Sequence, residues 1–156
     1  MIDILSLYNV ISGYGIYTDQ RNWEALTNLF ATEVHVDYTA MQGGEPSTMK
    51  AIDLVEGWKN FLPGFTGTSH LLGLPNIELN DDEANAELPF TASHVMEDET
   101  LKPNNLWAIG GRYRLRLKHT DNQWLIISVQ LIPSWQSGNL NLPKLAAAKL
   151  ASHQNR

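Results

Sequence analysis

The sequence predicts an α+β fold in which N-terminal helices pack on one face of a curved, mainly antiparallel sheet. Three observations carry this expectation. Residues 2–62 contain three segments whose apolar side chains recur at helical spacing. From Gly67 onward the pattern changes to long runs of period 2, separated by turn-rich segments such as Asn80-Asp81-Asp82-Glu83 and Thr120-Asp121-Asn122. The run 105–118 places Trp107, Ile109, Gly111, Tyr113, Leu115 and Leu117 on one face and Arg112, Arg114, Arg116 and Lys118 on the other, which marks a sheet with one solvated side. Helices followed by antiparallel strands make a layered α+β domain.

At about 100° per residue, Ile4, Leu7, Ile11 and Gly15 fall on one side of a helix over residues 2–18, and Asp19 continues the same arc. A second helix is expected from an Asn22 cap to Ala31, with Trp23, Leu26, Leu29 and Phe30 on one face. Val34, Val36 and Tyr38 then alternate with His35, Asp37 and Thr39, so Tyr38 points inward from a half-buried strand. A third helix is expected from a Ser47 or Thr48 cap to Phe61, carrying Ala51, Ile52, Leu54, Val55, Trp58, Phe61 and Leu62, with Pro63-Gly64 as its stop. Four long strands follow at about 68–79, 84–96, 105–118 and 124–133, with Gly110-Gly111 as a bend. The remaining tail runs from Trp135 to Pro143 and ends in an Ala/Leu-rich helix from Lys144 to about Ala151.

Composition narrows the function. The 156 residues suit one domain with one core. With no cysteine, a thiol nucleophile, a disulfide framework and Cys-held metal are excluded, and a reducing, cytoplasmic location is the expectation. A net charge of −6 gives no overall positive field for phosphate backbones, so nucleic acid is not an expected partner. The first ten residues carry an Asp and no basic residue, and no apolar run is long enough to span a bilayer, so neither a leader peptide nor membrane insertion is expected. His35, His119 and His153 show no ligand spacing, and no metal site is expected.

Chemistry is sought where titratable groups stand on apolar faces, because burying one costs several kcal/mol without compensation. Asp19, Tyr38, His70 and His94 meet that criterion. His94 is the clearest, since it follows Ala84, Ala86, Leu88, Phe90 and Ala92 in phase. His70 shares its phase with Leu72 and Leu74, whereas Leu71, Ile77 and Leu79 take the other, and Pro75 marks a point where the register could reset. A carboxylate and an imidazole in one apolar cavity can act as a base with its orienting partner, and this chemistry needs no cofactor. An inward phenol adds a donor for a carbonyl or enolate oxygen.

Tyr17-Thr18-Asp19-Gln20-Arg21-Asn22-Trp23, then Val36-Asp37-Tyr38, then Thr68-Ser69-His70-Leu71-Leu72-Gly73, then Ala92-Ser93-His94 resembles the SnoaL-like group that includes scytalone dehydratase. The resemblance covers residues 5 to about 135. It implies the cone-shaped barrel of the nuclear transport factor 2-like, or cystatin-like, superfamily over residues 1–135. Residues 136–156 would then form a tail serving as a pocket lid or subunit contact. It further implies that His70 is the catalytic base, that Asp19 orients it, that Tyr38 helps polarise a substrate carbonyl through water, and that His94 is the second pocket histidine. Scytalone dehydratase has a tyrosine directly before the aspartate, where this chain has Thr18; neither Tyr14 nor Tyr17 aligns with it, so the same substrate is not implied. Dehydrochlorinases and polyketide cyclases of the wider group also resemble the pattern, the former sharing the Asp–His pair.

The resulting expectation is a cofactor-independent lyase or isomerase acting on a small, hydrophobic, oxygenated ring compound. Tyr14, Tyr17, Trp23, Trp58, Phe61, Leu72, Phe90 and Trp107 are the expected pocket residues, and His70 or His94 is expected to assist departure of the leaving group. The alternative is a ligand-binding or assembly module of the same fold, because one fold hosts many roles. On either reading a homo-oligomer, dimer or trimer, is expected from the sheet's outer face and its basic stripe.

Overall fold

The computed structural model describes residues 4–154. Residues 2 and 3 of the expected first helix, and the extreme ends of the two expected chain divisions, lie outside the described residues. The helices are α1 (Ile4–Gln20), α2 (Trp23–Thr27), α3 (Thr39–Gln42), α4 (Ala51–Lys59) and α5 (Leu142–Gln154). The strands are β1 (Phe30–Asp37), β2 (Ser47–Lys50), β3 (Gly67–Leu72), β4 (Asn76–Asn80), β5 (Glu83–Val95), β6 (Leu106–Thr120) and β7 (Gln123–Gly138). Together they form a seven-stranded sheet in the order β2-β1-β7-β6-β5-β3, with β4 also paired to β5. All pairings are antiparallel except β1 with β7.

α1 buries Leu7, Ile11, Tyr14, Gly15 and Thr18 against the sheet. Gly15 eases its close approach to β3: a Cβ there would lie 3.1 Å from the His70 carbonyl oxygen and 3.2 Å from Leu72, so the neighbours would have to give. Asp19 follows one helical turn later on the same side. The helix ends just past it, with Arg21 left-handed at φ 55°, Asn22 N–H donating to the Tyr17 carbonyl at 2.9 Å and Arg21 N–H to the Thr18 carbonyl at 3.1 Å. The Arg21 guanidinium donates to the Phe65 carbonyl at 2.7 Å, which ties this helix end to the chain entering β3.

Three expected boundaries are corrected. The second helix stops at Thr27, because Phe30 opens β1 and pairs with Ile126. The third begins at Ala51 rather than at Ser47 or Thr48, and it ends at Lys59. Residues Ser47–Lys50 are extended and pair with β1, an arrangement that suits Thr48 and Met49 better than a capping turn. The expected strand 68–79 is two strands, broken at Gly73-Leu74-Pro75, where Leu74 is exposed. His70 and Leu72 face inward from β3 and Ile77 from β4, so the register changes phase across the break.

β5 alternates without interruption, burying Ala84, Ala86, Leu88, Phe90, Ala92 and His94. The β6/β7 ladder shifts register between Gly110 and Gly111. Side chains at those two positions would collide with the Trp135 ring and with the Ile132 carbonyl, so the glycines permit the fold of the sheet there. Asp121 and Asn122 both have positive φ in the tight turn joining β6 and β7. The basic stripe is neutralised within the chain: Arg114 meets Glu87 at 2.6 Å, Arg116 meets Glu83 at 3.2 Å and Lys118 meets Asp82 at 3.7 Å. These pairs are exposed and add little to stability.

α5 packs on the turn Leu62–Gly64, with Leu142 and Ala146 fully buried. Among the described residues, no helix is long and apolar enough to cross a membrane.

Candidate active site

Between α1, α3, α4 and the inner face of the sheet lies a partly open cavity of about 100 Å³. Tyr14, Trp58, Phe61, Phe90 and Trp107 line it, as the sequence leads one to expect, together with Tyr38, His70 and His94. Tyr17, Trp23 and Leu72 do not. The Tyr17 ring folds back along its own helix over Gly13 and toward Leu29. Trp23 opens α2 and packs on the core from outside the cavity, while Leu72 is used up beneath Gly15 where helix and strand cross.

Asp19 and His70 meet at the edge of this cavity. The His70 Nδ1 lies 2.7 Å from Asp19 Oδ1, the His70 backbone N–H donates to Oδ2 at 2.7 Å, and the Thr68 hydroxyl donates to Oδ1 at 2.9 Å. Both carboxylate oxygens are thereby fixed, and the ring is fixed with them. Partial burial works against ionisation of Asp19. The hydrogen bonds from the His70 ring and backbone, the His70 charge and the Thr68 hydroxyl outweigh it and hold the carboxyl below the usual range. An ionised Asp19 accepts a hydrogen bond from the Nδ1–H, which leaves Nε2 of a neutral ring without a proton. The His70 side chain is 12% exposed, so the ring is largely shielded while still bordering the cavity.

His94 sits deeper. Its ring packs on Trp107 with centroids 4.3 Å apart and on Phe65 at 4.9 Å, and it stands edge-on to His70 at 5.6 Å. The Trp107 indole N–H is held by Gln136 at 3.0 Å, which fixes the plane on which His94 rests. The Nδ1 of His94 is buried without a hydrogen-bond partner. Desolvation first, and the neighbouring His70 second, lower its pKa to about 4, against partial opposition from the Trp107 backbone and Asp19. A ring held neutral in this way is not a cationic acid near neutral pH.

The linkage has a definite sign. Between the ordinary histidine value of about 6.5 and the folded value, the unfolded chain binds more protons than the folded one at position 94. Stability is therefore retained above that window and lost as pH falls through it, by about 3 kcal/mol in total. Urea unfolding at stepped pH should show this decline in the native chain, and a flatter profile between these values in His94→Leu.

Tyr38 follows β1 directly and is oriented by its neighbour. Asp37 accepts from the Thr39 N–H at 3.1 Å, from the Thr39 hydroxyl at 2.6 Å and from Gln130 at 2.8 Å, which clamps the strand end. The Tyr38 and Tyr14 hydroxyls are 2.8 Å apart. Desolvation pushes the Tyr38 phenol up to about 12, against the hydrogen bonds from Tyr14 and Tyr113. Thr18, which stands where scytalone dehydratase has a tyrosine, also lines the cavity, but its hydroxyl turns back to the Tyr14 carbonyl at 2.6 Å.

Sequence reasoning missed Tyr113, Met41 and Gln42, all on the cavity wall. Tyr113 was in view as an inward residue of β6, and its hydroxyl was the signal. Met41 and Gln42 belong to α3, a single turn with too few residues to show a helical period.

A second hollow lies on the opposite face of the sheet, among Glu78, Asn85, Glu87, Arg114 and Arg116. It is charged and ion-paired, and it shares no residue with the Asp19–His70 cavity.

The fold is cystatin-like, or nuclear transport factor 2-like. Structural likeness extends to the Kfla4162 protein of Kribbella flavida, with a TM-score of 0.82 and 20% identity, covering 92% of this chain and 96% of that one. A protein of Novosphingobium aromaticivorans assigned as a scytalone dehydratase gives 0.71 and 22%, covering 86% of each chain. The hexachlorocyclohexane dehydrochlorinase LinA-type3 of Novosphingobium barchaimii gives 0.67 and 16%, covering 86% of this chain and 88% of that one. No curated protein sequence matches at significance. The model of the SnoaL-like domain matches residues 1–130, and with the sheet and helices arranged as described, this chain belongs to the SnoaL-like domain family.

Proposed function

We propose that this protein is a cofactor-independent lyase or isomerase that acts on a small, hydrophobic, oxygenated cyclic compound, with His70 as general base. The observation that carries the reading is the Asp19–His70 contact of 2.7 Å at the border of an apolar cavity. Asp19 accepts a hydrogen bond from the Nδ1–H, which stays on the ring, and the bare Nε2 removes a proton α to a substrate carbonyl. Negative charge builds on the carbonyl oxygen, where the Tyr38 hydroxyl donates to it. The electron pair then expels a hydroxide from the β-carbon, and the protonated His70 returns its proton to that group. The carbon–carbon double bond forms, water departs and His70 ends neutral.

This sequence assigns the returning proton to His70 rather than His94. A ring with its pKa lowered to about 4 has no proton to spare near neutral pH. His94 serves instead as a neutral ring on the cavity wall. The apolar wall keeps bulk water from the base and strengthens the pair.

The test is a panel of β-hydroxylated cyclic ketones incubated with the full chain, with loss of water followed by mass spectrometry and α-proton exchange followed in heavy water. Exchange or water loss that disappears in His70→Ala supports the reading. Tight binding of the ketones with neither reaction would reduce the protein to a binding module.

A further inference from the structure

We infer that Tyr113 joins Tyr14 and Tyr38 in a three-phenol cluster that holds one carbonyl oxygen of the ligand, so that the cavity selects an uncharged ketone over a carboxylate. This deepens the proposed function and rests on its reading of the cavity as a substrate site.

All three phenols lie on the cavity wall, one from α1, one from the end of β1 and one from the middle of β6. Their meeting is a product of the fold rather than of local sequence. The Tyr113 ring is 4% exposed and is packed against Phe90 at 4.3 Å and edge-on to Tyr14 at 5.2 Å, so its hydroxyl has little freedom to swing. The Tyr14 and Tyr38 oxygens, 2.8 Å apart, share one hydrogen. Tyr113 interacts with both at longer range, so an open chain of three phenols uses two of its hydrogens internally and keeps one. A phenol hydrogen polarised by two neighbouring phenols is a donor that a carbonyl oxygen accepts.

The cluster also stays neutral. Desolvation, the leading cause in each case, raises all three phenols, Tyr14 and Tyr113 well above their ordinary value. No Lys, Arg, Asp or Glu among the described residues lines the cavity. A carboxylate entering it would shed its hydration and meet no Lys or Arg, only a His70 ring already engaged by Asp19, whereas a ketone sheds far less and gains the phenols.

Acetophenone, ethylbenzene and benzoate form a matched set of probes: a neutral carbonyl, the same ring without oxygen, and an anion. Calorimetric titration of the full chain should show acetophenone binding more tightly than either of the others. Tyr113→Phe, which keeps the ring and its packing, should weaken acetophenone by about tenfold and leave ethylbenzene unchanged. The carbonyl stretch of bound acetophenone should move to lower frequency in the native chain and part of the way back in the variant, a shift that a purely structural role for Tyr113 would not produce. The proposal is overturned if the native chain does not prefer acetophenone to ethylbenzene, if benzoate binds as well as acetophenone, or if Tyr113→Phe changes neither affinity nor stretch. Should the variant not fold, the native stretch decides alone, and a frequency equal to that in an apolar solvent overturns the cluster. None of this needs turnover, so a His70→Ala chain that still prefers acetophenone upholds the cluster even where the base chemistry fails.

Discussion

His70→Ala should lower turnover of any ketone that the native chain dehydrates by about 10²–10⁴-fold, the usual contribution of a positioned general base. The fold should survive. The ring borders a cavity rather than filling the core, and its removal enlarges space that already exists. Asp19 would keep the Thr68 hydroxyl and the backbone N–H of residue 70, and at 25% side-chain exposure it can also reach water. Steady-state kinetics with thermal unfolding as a control checks both halves. Retained turnover in a folded variant would remove His70 from the chemistry.

The second large effect belongs to Asp19. Asp19→Asn is nearly isosteric, and the remaining carbonyl oxygen can still accept a hydrogen bond, but the amide presents N–H where the ring needs an acceptor. The Nδ1 proton then has no partner, the other tautomer is favoured, and Nε2 carries a proton where it must be bare. Most of the base contribution should vanish, again about 10²–10⁴-fold in kcat, with ligand affinity close to native because Asp19 stands behind His70 rather than on the wall. A fall confined to affinity would show that the carboxylate shapes the pocket instead of serving the base. Thr68→Val removes one of three bonds to the same carboxylate and should cost far less, about 1 kcal/mol.

Acid should separate the same groups by their direction. Asp19 has a lowered carboxyl pKa, so its contribution is present above the unfolded carboxylate value and is lost as pH falls through the folded one. The His94 contribution begins to fail earlier, on descending from the ordinary histidine range.

What could be read from the sequence depended on how many residues carried each signal. β5 has six inward positions in phase, from Ala84 to His94, and a titratable residue among them stands out. His94 was therefore legible to the residue. The hairpin of β6 and β7 was legible as far as Pro133, together with its turn at Asp121-Asn122, but β7 runs on to Gly138 and pairs with β6 through Trp135–Ser137, residues expected in the tail. Between Tyr38 and Lys50 the chain makes a one-turn helix and a four-residue strand. Neither is long enough for a period to show, and Ser47-Thr48 imitates a helix cap when its partner strand is unknown.

The site divides in the same way. Asp19 and His70 were visible as polar residues on apolar arcs, although their contact comes from the descent of α1 onto β3, which Gly15 eases. Tyr17, Trp23 and Leu72 were drawn into the expected wall by aromatic or apolar character, yet which side of a helix meets a cavity and which meets another helix is decided by packing. Tyr113 was lost the opposite way. On an apolar face a phenol reads as a ring, and its hydroxyl gains meaning once Tyr14 and Tyr38 arrive beside it from elsewhere in the chain.

Nitrogen NMR of the isotope-labelled His70 ring near neutral pH tests the acid–imidazole couple most directly. The geometry predicts a protonated Nδ1 and a bare Nε2, a state that Asp19→Asn reverses. A native ring with its proton on Nε2, or a tautomer indifferent to Asp19→Asn, would contradict the mechanism at its base.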